Sequence, residues 1–110
     1  MEERRIKPIT LTDEESGEVY TLEFNRKTIV MAENAGFDVS RMSQKPMSSL
    51  MLLWYYSFIM HHPTMTKEKA SKLYDELGDV PDGLVERLIE LYNAGATTLS
   101  AKNPKATVVL

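Results

Sequence analysis

The chain of 110 residues contains no cysteine. That absence excludes a disulfide scaffold, a thiolate metal site, a cysteine nucleophile and a thiolate-held iron–sulfur cluster. Histidine is scarce as well, with only His61 and His62, side by side. Neither charge sign dominates: 13 basic residues stand against 16 acidic ones, for a formal net charge of −3. No global field therefore draws the chain to nucleic acid or to anionic lipid, and neither is expected as a partner. A hydrophobic run of bilayer length is also missing. The most apolar stretch, residues 46–62, includes three serines and ends in His61 and His62 before Pro63, whereas a membrane core needs about 20 predominantly apolar residues. Met1-Glu-Glu-Arg-Arg5 mixes both signs, and no apolar stretch of signal-peptide length follows it. The expectation is a cytoplasmic protein.

What is present belongs to an ordinary globular chain. Hydrophobic residues make up 43% and charged residues 26%, proportions that exclude wholesale disorder or a collagen-like repeat. At this length a single domain over residues 1–110 is expected. Folding then hides roughly two-thirds of the unfolded surface, enough for a modest core without disulfide or metal staples.

Residues 19–24 alternate cleanly, with Tyr20, Leu22 and Phe24 on one face and Val19, Thr21 and Glu23 on the other. Residues 6–11 form a second β-prone segment, and the polar link between them carries Gly17 for the reversal. This pattern predicts a β-hairpin over residues 6–24. Pro8 lacks an amide donor, which makes the first strand the natural edge. Since an isolated hairpin is at best marginal in water, its Tyr20/Leu22/Phe24 face must rest on helices or on another copy of the chain.

From Asn25 onward the period becomes helical. Asn25 is a suitable N-cap for a helix reaching Ala35, with Gly36 as a left-handed stop and Phe37 placed to fold back onto it. A polar link over residues 38–45 leads to Pro46, which suits the first turn of a second helix reaching about His61. Thr66 caps a third helix with the stripe Ala70, Leu73, Tyr74 and Leu77, ending at Gly78. A fourth carries Leu84, Val85, Leu88, Leu91 and Tyr92, continuing through Ala96 and Leu99. Asn103-Pro104 breaks the chain, and Ala106 to Leu110 is β-prone but terminal. The fold class expected is α+β and mainly helical: the hairpin, about four short helices over residues 25–100, and a loose tail over residues 101–110.

Little in the sequence supports catalysis. His61-His62 invites a metal reading, yet adjacent helical residues point about 100° apart while helical zinc sites use i, i+4 spacing. The imidazoles are better placed beside the C-terminal carbonyls of the second helix, where partial negative charge favours them. The acids between Asp75 and Glu86 miss a calcium loop, with Leu77 and Val80 where an oxygen ligand and a glycine are required. There is no Gly-x-Ser-x-Gly elbow and no phosphate loop. The expectation is a non-enzyme without metal or cofactor.

The second helix is the unusual element. Met47, Leu50, Met51, Trp54 and Phe58 mark one face, and Leu52, Leu53, Tyr55, Tyr56, Ile59 and Met60 fill most of the remainder. A helix that is apolar all round is either central in a core or covered by a partner. On the first reading it is the core helix, with tyrosine hydroxyls reaching water. On the second, Met47, Leu50, Met51, Trp54, Phe58 and Met60 form a soft protein-binding strip for self-association or a client, with Trp54 as its anchor.

Three stretches carry a resemblance: Val19-Tyr-Thr-Leu-Glu-Phe-Asn-Arg-Lys-Thr28, Met31-Ala-Glu-Asn-Ala-Gly-Phe-Asp38 and Tyr55-Tyr-Ser-Phe-Ile-Met-His-His-Pro63. With the ending Lys102-Asn-Pro-Lys-Ala-Thr-Val-Val-Leu110, the chain resembles small proteins from phages and prophages of Gram-positive bacteria. These belong to a domain-of-unknown-function group that looks like the tail assembly chaperones of long-tailed phages. The resemblance implies a binding task in the bacterial host cytoplasm: coating the tape-measure protein, keeping it soluble and recruiting tail-tube subunits, without a nucleotide site. It designates no functional residues. A minor structural phage protein of the tail or head–tail joint, or a small phage-encoded regulator of a host protein, are the alternatives. A homo-oligomer is expected.

Overall fold

The computed structural model describes residues 6–97 and 109–110. Among these, a two-stranded antiparallel hairpin, β1 (Ile9–Thr12) and β2 (Val19–Leu22), is followed by four α-helices. They are α1 (Arg26–Asn34), α2 (Pro46–Ile59), α3 (Lys67–Asp75) and α4 (Leu84–Thr97). The expected continuation of the fourth helix to Leu99 falls outside the described residues, as does the expected tail except for its last two residues.

The hairpin closes as its polar link requires. Asp13 N–H donates to the Glu18 carbonyl, Gly17 N–H donates to Asp13, and Gly17 takes φ +78°, a conformation that side chains other than glycine rarely adopt. Ile9 faces Leu22 and Leu11 faces Tyr20, so these four share the inner face. Tyr20, Leu22 and the following Phe24 are buried. The ladder stops at Leu22, short of the expected residue 24, and on the opposite edge of that strand Glu23 N–H donates to the Ser57 carbonyl of α2 at 2.9 Å. Helix α2 takes over the hydrogen bonding of that strand edge.

Helix α1 begins in a reciprocal capping box, with Asn25 Oδ1 accepting Thr28 N–H at 2.9 Å and Thr28 Oγ1 accepting Asn25 N–H at 3.0 Å. At its other end, Gly36 at φ +106° lets Phe37 N–H return to the Ala32 carbonyl and places the Phe37 ring in the core, the hydrophobic fold-back the sequence predicts. The polar link that follows is more structured than expected. A single 3₁₀ turn, Val39–Arg41, forms there because Asp38 accepts Ser40 N–H.

Pro46 opens α2, and α2 occupies the centre: it touches α1, α3, α4, β2 and the 3₁₀ turn. Those short elements enclose most of it, which explains why apolar residues run almost all the way round. Thr66 Oγ1 accepts Lys69 N–H to start α3, and Leu88, Leu91 and Tyr92 turn α4 inward. Among the described residues, no helix is long and apolar enough to cross a membrane.

Candidate functional site

The face expected to bind protein is divided by the packing of α2. Trp54 is 1% exposed, and its indole N–H donates to the Ala70 carbonyl at 2.7 Å. Its ring meets Phe58 and Tyr74 edge-on, at centroid separations of 5.2 and 5.5 Å. Phe58 is fully buried against Tyr20, and Leu50 is buried as well. This corrects the expectation that Leu50, Trp54 and Phe58 belong to one accessible strip. α3 covers Trp54 and the hairpin covers Phe58, so neither ring can anchor a partner in this conformation.

The other three candidates remain at the surface. Met47 is 59% exposed, Met51 is half-buried, and Met60 is exposed at the C-terminal cap of α2. At about 100° per residue, Met51 follows Met47 closely around the helix, whereas Met60 lies about 140° away. The surface strip is therefore Met47 and Met51, continued by half-buried Tyr55, with half-buried Leu52 flanking Tyr55 about 60° further round. Leu52 and Tyr55 were not singled out as binding residues in the sequence, and counting in i, i+4, i+8 steps from Met47 would have found Tyr55. Lower on this face, Tyr55 hydroxyl donates to the Met65 carbonyl at 3.2 Å and Lys67 Nζ sits 5.9 Å from the Tyr55 ring centre. The strip thus has an open methionine end and a fixed aromatic end.

His61 and His62 do something other than expected. Their rings reach strand β2 and the residue that follows it, Glu23, instead of lying on helix carbonyls. His61 Nε2 lies 2.8 Å from Glu23 Oε1, and His62 Nε2 accepts Thr21 N–H at 3.0 Å. Burial first, and then the neighbouring His61, hold His62 below the ordinary histidine range. That direction is opposite to the one a helix C-terminus alone would impose. Among the described residues, no group of three or more His, Asp or Glu side chains could hold a metal ion.

A second feature is an open depression of about 520 Å³ beside the 3₁₀ turn, floored by Phe37 and Tyr92 and rimmed by Glu33, Asp38 and Arg41. Its carboxylates already serve the fold. Tyr92 hydroxyl donates to Glu33 Oε2 at 2.9 Å, and burial, then Glu33, push that hydroxyl up to about 12. Asp38 accepts both the hydroxyl and the N–H of Ser40, which hold its carboxyl below the usual carboxylate range.

A family model described as a domain of unknown function (DUF5055) matches residues 3–109. No curated protein and no solved structure matches the chain.

Proposed function

The chain belongs to the DUF5055 family, and from its own surface we propose that it is a non-enzymatic, protein-binding assembly factor. The observation that carries the reading is the strip on α2: Met47 stands 59% exposed at the start of the most apolar helix, with Met51, Leu52 and Tyr55 half-buried behind it. Methionine adapts to irregular apolar partners because its side chain is unbranched and polarizable. A short row of this kind suits the apolar stripe of an amphipathic helix. The resemblance to tail assembly chaperones supplies the client: a phage tape-measure protein, or the tail-tube protein that encloses it, bound in the cytoplasm of a bacterial host. The protein holds such a helix out of water until the tube is built, and it needs no metal or nucleotide to do so.

Co-expression with a tape-measure segment tests this. The segment stays soluble beside the wild-type chain and aggregates beside Met47→Lys/Met51→Lys, whose long stems still cover the core while their charged ends repel an apolar partner. Equal solubilisation by the folded double variant contradicts the reading. Recovery of the protein from purified virions would instead favour a minor structural component.

A further inference from the structure

The outer edge of β1 offers a strand-pairing surface whose hydrogen-bonding groups can be assigned from the rest of the sheet. Thr21 N–H donates to His62 and Glu23 N–H donates to Ser57, so the odd-numbered positions of β2 direct their backbone groups away from β1. In an antiparallel ladder, the residues facing them do the same. Thr10 faces Thr21 and Thr12 faces Val19, so Thr10 and Thr12 turn their N–H and carbonyl groups outward. Among the described residues, β1 has β2 as its single strand neighbour. The two edges of the hairpin are thus treated differently among the described residues: α2 and His62 just beyond it close the outer edge of β2, while that of β1 stays open. On the inner face, Tyr20 and Leu22 of β2 are buried, but Ile9 and Leu11 of β1 are only half-buried. The apolar cover ends at β1.

We propose that a second copy of this chain pairs with the β1 edge about a two-fold axis through Thr10, extending the hairpin into a four-stranded antiparallel sheet. The register follows from the sequence. With Thr10 opposite its own counterpart, the two threonines exchange both N–H···O bonds, and Thr12 N–H meets the Pro8 carbonyl on either side. Pro8 lacks a donor, so each end loses one bond and the centre loses none. Ile9 of one copy then lies beside Leu11 of the other on the inner face, covering the two half-buried side chains. Lys7 falls opposite Asp13, which gives one oppositely charged cross-strand pair at each end. The self-complementarity of residues 7–13, basic at one end and acidic at the other, selects a second copy over an unrelated strand. This contact is separate from the α2 strip and leaves the strip free for a client.

Cysteine trapping and sedimentation test the proposal, and the cysteine-free chain makes the trapping unambiguous. In a hydrogen-bonded antiparallel pair the facing Cα atoms lie about 5.5 Å apart, inside the range a disulfide spans. Thr10→Cys therefore oxidises to a covalent dimer. Thr12→Cys does not, because the two copies of that position lie about 14 Å apart along the paired strands. The wild-type chain sediments as a dimer at micromolar concentration. Thr10→Pro, which removes a donor the monomer does not use, shifts it to monomer. Lys7→Glu, which sets like charges opposite each other without touching the strand backbone, weakens association by about tenfold. A wild-type chain that stays monomeric overturns the proposal. So does a Thr10→Pro variant that remains dimeric, or cross-linking of Thr12→Cys as readily as Thr10→Cys.

Discussion

The imidazole Nε2 of His62 accepts the backbone N–H of Thr21 across 3.0 Å. A side chain just beyond α2 thereby occupies a hydrogen-bonding position of strand β2. The neighbouring Glu23 N–H is taken by Ser57, and His61 lies against the Glu23 side chain. Helix and hairpin are joined along a line of polar contacts as well as through the Tyr20–Phe58 packing.

The first prediction concerns acid. His62 accepts the Thr21 N–H only while Nε2 is unprotonated, and its native pKa lies below the ordinary value through burial and then through His61, partly offset by Glu18. The unfolded chain takes up this proton at about pH 6.5, before the native state does. Stability from this contact is therefore fully present above about pH 6.5 and lost as pH falls through the lower native pKa. In His62→Phe that segment of the stability–pH curve should flatten, and the unpaired Thr21 N–H should cost about 1–3 kcal/mol at neutral pH. Urea melts of both chains across the acid range check this.

Trp54→Ala should act on the fold. Removing a fully buried indole leaves a cavity and takes away its hydrogen bond to the Ala70 carbonyl, at a cost of about 3–5 kcal/mol. Met47→Lys should change stability by no more than about 0.5 kcal/mol, because its side chain already faces water. Denaturant unfolding of the two variants separates core from surface on α2.

At Gly95, helix propensity and packing point in opposite directions. Replacing an interior helical glycine with alanine ordinarily stabilises by about 1 kcal/mol. Here a Cβ would stand 2.8 Å from the Phe24 carbonyl oxygen and 3.0 Å from Ile29 Cδ1. The oxygen is backbone and cannot swing aside, so Gly95→Ala should destabilise by about 1–3 kcal/mol. A higher melting temperature for this variant would show that α4 can shift away from the hairpin.

The elements were legible where local chemistry decides. Asn25, Gly36 with Phe37, Pro46, Thr66 and Gly17 each mark a start, stop or reversal through their own backbone or capping properties, and the structure uses them so. Alternation from Val19 to Phe24 gave the buried face of the hairpin. The phase of α2 was not legible, because a helix apolar on every side carries no record of which side is outward. That had to wait for α3 to cover Trp54 and the hairpin to cover Phe58. The role of His61 and His62 was hidden for a related reason. Their partners lie about 40 residues earlier in the chain, beyond the reach of any spacing rule.

The central claim is that the methionine end of α2 receives a client helix, and methionine-methyl NMR tests it most directly. The chain is labelled at its methionine methyls and titrated with an amphipathic tape-measure segment. The account predicts shifts at Met47 and Met51, with little change at buried Met65 or at Met31 on α1. Binding that leaves Met47 and Met51 unmoved while shifting Met31 or Met65 would place the contact elsewhere and contradict the account.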